Sequence, residues 1–127
     1  MTASARAREL TGIAARAADA KGGEDLVAID VSEPLPFADV FLLVTGRSER
    51  NVQAIADGVD EALAEAGSPV LRREGRQSGR WELLDAGDVV VHVFHEEDRM
   101  YYGLERLWKD CPLVPFELPA PAPSTDA

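Results

Sequence analysis

Histidine and cysteine are almost missing from this chain of 127 residues, which carries one Cys (Cys111) and two His (His92 and His95). A single thiol excludes an internal disulfide framework and an all-cysteine zinc site, and two imidazoles leave metal chemistry little to work with. No metal or cofactor is therefore expected. No apolar run approaches the roughly 20 residues of a membrane-spanning helix. The first segment, Met1 to Ala20, lacks the continuous apolar stretch of a secretory leader. It is rich in Ala and Arg, as organellar transit segments are, but Glu9 and Asp19 weaken that reading and it reads well as a structural helix. The expected location is the cytoplasm, away from membranes.

Positive charge is scarce as well. Thirteen Lys and Arg stand against 23 Asp and Glu, for a net charge of −10. Such a chain is repelled by bare phosphate backbones unless its basic residues are concentrated, and it favours a basic protein surface. What remains is ordinary for a globular protein: 46% hydrophobic and 28% charged residues exclude a disordered or fibrous chain. The length suits one domain with a modest core.

Hydrophobic spacing and turn residues predict the elements. Ala3 to Ala20 reads as a helix, with Leu10, Ile13, Ala14 and Ala17 on one side and Lys21-Gly22-Gly23 as its stop. Leu26 to Val31 is a β-branched strand, and Ser32 to Pro36 a turn. Val40 to Thr45 is apolar without alternation, which suits a central strand covered on both faces. Ser48 is placed to cap a second helix, whose apolar face is Val52, Ile55, Ala56, Val59 and Leu63. Val70 to Arg73, Arg80 to Asp85 and Asp88 to Phe94 read as strands, the last two joined by so short a link that they form an antiparallel hairpin. A last helix is expected from Asp98, with Met100, Leu104, Leu107 and Trp108 on one side. The whole is expected to be an α/β fold with a mixed sheet of about five strands packed with helices, over residues 1–111. Residues 112–127, with five prolines, are expected to be a disordered tail.

Candidate chemistry is sparse. Gly46-Arg47-Ser48 lies between a strand and a helix, where phosphate-binding turns occur, yet capping explains Ser48 without a ligand. A nucleotidyltransferase would also need two carboxylates spaced one apart on a neighbouring strand to hold its metal ions, and no such pair follows. Asp57 and Asp60 fall on the helix. His92 and His95 lie on opposite faces of a strand and cannot share a metal. Cys111 reads as inert packing or a surface thiol. The stretch from Arg72 to Arg80 holds four Arg and one Glu, a local charge of +3. It is either a solvated loop or a loop that touches RNA phosphate beside a protein contact.

The hairpin is the informative place. Alternation sets Trp81, Leu83 and Asp85 on one face of their strand, and Val90, His92 and Phe94 together on one face of the next. One side of the sheet must cover the helices, and the other then carries large residues mixed with Asp and His. Trp beside polar residues is a common interface anchor, with core packing the plain alternative.

Several strings here resemble the ribosomal silencing factor family, also called the Iojap-like family. They are Ala38 to Ser48, Asn51 to Ala56, Glu74-Gly75, Gly79 to Phe94 and Tyr102 to Trp108. The similarity runs from about Leu10 to Cys111, and its Trp81-to-Phe94 string is long and specific. The resemblance implies a fold related to nucleotidyltransferases without their carboxylates. It implies a protein that is not an enzyme and that binds the large ribosomal subunit through its fourteenth ribosomal protein. There it would block joining of the small subunit and lower translation in starvation or stationary phase. Free members are often homodimers. Carried over by position, the contact surface comprises Trp81, Leu83, Asp85, Ala86, Asp88, His92, Phe94 and Tyr102. The alternatives are a nucleotidyltransferase-related enzyme and a dimerising adaptor of another complex.

Overall fold

The first helix opens at Ser4, whose hydroxyl accepts the Ala7 N–H at 3.0 Å and satisfies a donor the helix cannot. The computed structural model describes residues 3–35, 37–76, 78–98 and 110–119. Helix α1 (Ala5–Ala20) stops where the glycines predict: Gly22, at φ +84°, turns the chain left-handed, and its N–H and that of Gly23 cap the Asp19 and Ala18 carbonyls. Among the described residues five strands follow: β1 (Glu24–Asp30), β2 (Val40–Gly46), β3 (Arg72–Glu74), β4 (Trp81–Asp85) and β5 (Val89–His95). Between β2 and β3 lies α2 (Glu49–Glu65), capped by Ser48, whose hydroxyl accepts the Asn51 N–H at 3.0 Å.

The strands form one sheet in the order β1-β2-β5-β4-β3. Only β2 and β5 run parallel; the other three pairings are antiparallel. The expected mixed five-stranded sheet is therefore present, as is the β4–β5 hairpin. Both helices pack on one face. There Leu10, Ala14, Ile55, Val59 and Leu63 meet Val40, Leu42 and Val44 of β2 and Val89, Val91 and Val93 of β5. The other face holds a second apolar cluster built on Ile29, Leu43, Val90 and Phe94, against which Phe41, Trp81, Leu83 and Cys111 pack. Strand β2 is apolar from Val40 to Val44 because both its faces are covered, as its lack of alternation predicts.

One expectation fails at the sheet edge. The chain does not leave the domain at 112. The Asp30 N–H donates to the Pro112 carbonyl at 2.8 Å and the Val114 N–H to the Ala28 carbonyl at 2.9 Å, with Ile29 bridging Leu113. Val114 is buried in the helix-side core. The strand edge of β1 needs those partners, and Val114 supplies apolar burial that proline content alone does not reveal. A helical turn begins at Glu96 to Asp98. The rest of the expected last helix, with Met100, Leu104, Leu107 and Trp108, lies outside the described residues.

Candidate functional site

The hairpin register decides which side chains meet. Trp81 pairs with Phe94, Leu83 with His92 and Asp85 with Val90. Parallel pairing of β2 then sets Phe41 against Val90 and Leu43 against His92. All of these share the face away from the helices. The Trp81 and Phe94 rings stack at 5.2 Å between centroids, His92 and Phe94 lie parallel at 6.1 Å, and Phe41 meets His92 edge-on at 4.9 Å. Such offset and edge contacts suit the ring quadrupoles.

His92 holds this cluster together. Its Nδ1 accepts the Trp81 indole N–H at 3.2 Å. An accepting Nδ1 carries no proton, so in the neutral ring the proton sits on Nε2. That Nε2 is buried and has no hydrogen-bond partner among the described residues. The residue is only 4% exposed, and burial pushes its pKa from 6.5 down to about 4. The imidazole is neutral at physiological pH.

The eight candidate residues divide accordingly. Trp81, Leu83 and Asp85 are half-buried in a row along β4, and Asp88 is exposed at the hairpin end. Asp85 also builds the turn, its Oδ1 accepting the Gly87 N–H at 2.8 Å. Ala86 is buried in that turn. His92 and Phe94 (1% exposed) lie beneath the surface, with their rings against that of Trp81. Tyr102 lies outside the described residues. Sequence reading missed Phe41 and Leu43, whose membership of this face follows from a parallel register with no local signal.

The arginine stretch is less basic than its composition. Arg73, nearly buried, sits with Nη2 at 2.8 Å from both Asp57 and Glu82, and Nη1 at 3.3 Å from Asp60. Burial raises the pKa of the fully buried Glu82, and Arg73 opposes that rise. Arg80 binds Asp98 and Glu97, and Arg72 binds Glu74. Among the described residues Arg76 alone of the four has no ion pair. Gly75, at φ +80°, brings the loop back so tightly that a Cβ there would fall 1.9 Å from the Trp81 carbonyl oxygen. At the opposite sheet edge, burial and the carboxylates of Asp30, Asp110 and Glu33 raise the Cys111 pKa and keep it a thiol.

Fold and face together define a small mixed-sheet α/β protein whose notable feature is an aromatic row ending in carboxylates. Residues 4–127 match the family described as "Ribosomal silencing factor during starvation". The chain is 46% identical over 110 residues to Ribosomal silencing factor RsfS of Halalkalibacterium halodurans, covering 87% of this chain and 94% of the relative. It is 28% identical over 91 residues to the mouse protein named Mitochondrial assembly of ribosomal large subunit protein 1, covering 69% of this chain and 40% of that one. A crystal structure of a Chromobacterium violaceum protein superposes with a TM-score of 0.77 at 36% identity, covering 93% of each chain. The chain belongs to the ribosomal silencing factor family, a family of ribosome-associated translation regulators.

Proposed function

We propose that this protein is a translation repressor that binds the large ribosomal subunit through its fourteenth ribosomal protein. By occupying the face that meets the small subunit, it blocks joining and lowers translation under starvation. The reading needs no bond made or broken, only occupied space and enough affinity to compete. The observation that carries it is the Trp81-Leu83-Asp85 row, accessible on one strand and continued by Asp88 at the hairpin end. Half-buried Trp and Leu offer apolar anchors, and the two carboxylates suit a cationic partner. An interface of roughly 800 Å² per partner is enough for such a complex. The free protein is a homodimer in this reading. Any ribosomal RNA contact of the Arg72 to Arg80 loop falls to Arg76, since the other three arginines are engaged by carboxylates.

Sucrose-gradient sedimentation with separated ribosomal subunits tests this. The protein is expected to travel with large subunits and to reduce the peak of joined ribosomes at saturating dose. An enzyme acting on nucleotides would instead turn over ATP or CTP with magnesium. An adaptor of another complex would leave large subunits unbound.

A further inference from the structure

His92 is too deeply buried to be an anchor, yet it is poorly chosen as mere packing. A phenylalanine would fill the same space, stack on Phe94 and meet Phe41. It would also remove the Nε2–H that has no hydrogen-bond partner among the described residues. A buried unpaired donor costs stability and calls for an explanation. The explanation on the other side of the ring is the bond from the Trp81 indole N–H to Nδ1, at 3.2 Å. We propose that His92 is a positioning residue for the docking face, its Nδ1 holding the Trp81 indole in the orientation that a partner meets. The proposal rests on the functional reading above.

The geometry supports this division of labour. Trp81 pairs directly with Phe94, and His92 with Leu83, so the indole reaches His92 along the diagonal between strands. Stacking on Phe94 alone leaves the indole two opposite faces to choose between, since its χ2 is broad and roughly two-fold. The acceptor at position 92 selects one of them. An anchor fixed before contact binds more tightly because less freedom is lost on docking.

Five proteins decide the matter: the parent, His92→Phe, His92→Asn, and Trp81→Phe with and without His92→Phe. Each is studied free, by NMR of the ¹⁵N-labelled indole groups and by thermal unfolding, and bound, by sedimentation with isolated large ribosomal subunits. The Trp81 indole signal is the one that Trp81→Phe removes. His92→Phe is expected to melt at or above the parent's temperature, to shift the Trp81 indole signal and speed its exchange with solvent. It should bind about tenfold more weakly, the loss of roughly one hydrogen bond. In His92→Asn the Oδ1 takes the place of Nδ1 while the ring is lost. That variant is expected to melt lower, yet to keep the indole signal and bind within about threefold of the parent. With Trp81→Phe in place, adding His92→Phe should cost no further binding. The proposal is overturned if His92→Phe binds like the parent, or if affinity follows melting temperature across the series. If the parent itself ignores large subunits, the functional reading falls. The free-protein signals then decide alone: an indole unmoved by His92→Phe overturns the positioning role, and one moved by His92→Phe and restored by His92→Asn upholds it.

Discussion

A glutamate in place of Trp81 would set a charge where an indole stacks on Phe94 at 5.2 Å and bonds to His92. The site is half-open to solvent, so the fold survives the change while the docking face loses its largest apolar side chain. Trp81→Glu is expected to cost more than about 2 kcal/mol of binding to large subunits, the size of an interface hot spot. Circular dichroism should remain that of the parent; undiminished co-sedimentation would remove Trp81 from the interface. His92 makes a different prediction, on stability. Its folded pKa of about 4 lies below the ordinary 6.5, so the unfolded chain binds more protons between those values. Stability attributable to His92 is complete above 6.5 and is lost as the pH falls toward 4, by on the order of 3 kcal/mol. Urea unfolding across that range measures the slope, and His92→Phe should flatten it.

Among the elements, the two sheet edges are managed differently. Strand β3 is three residues long and entirely charged, Arg72-Arg73-Glu74, a short polar edge that resists pairing with other chains. It is tied to α2 through Arg73 and its contacts with Asp57 and Asp60. The β1 edge is instead covered by residues 112–114, whose two backbone bonds and buried Val114 complete the core. Truncation after Cys111 is expected to cost at least about 2 kcal/mol, from the burial of one valine and two hydrogen bonds. It should also raise self-association through the bared edge. Urea midpoints and light scattering check both; a truncated protein as stable and monodisperse as the parent would show that the strap contributes nothing.

For the molecule as a whole the governing quantity is its net charge of −10. Attraction between an acidic protein and a basic docking surface accelerates encounter and is screened by salt. The Debye length shrinks from ~10 Å at 0.1 M to ~3 Å at 1 M ionic strength. The association rate with large subunits is expected to fall at least about tenfold over that range, while the dissociation rate changes far less. Stopped-flow or biosensor kinetics at several salt concentrations measure the two rates separately. A salt-independent association rate would mean that the charge does not steer the encounter.

Reading residues in order was enough for the first two helices, the strands of the sheet, the cap at Ser48, the hairpin and the side of it that carries Trp81, Leu83 and His92. Those features depend on neighbours within a few positions, where period and turn chemistry act. The parallel pairing of β2 with β5, the burial of Arg73 against Asp57, Asp60 and Glu82, and the return of residues 112–114 to β1 were beyond it. Each joins segments far apart along the chain, so its stability comes from contacts that exist only once the sheet has closed. The same reason separates half-exposed from buried side chains within one string of residues. Alternation places Trp81 and His92 on a common face, but only packing leaves the indole at the surface and seals the imidazole beneath it.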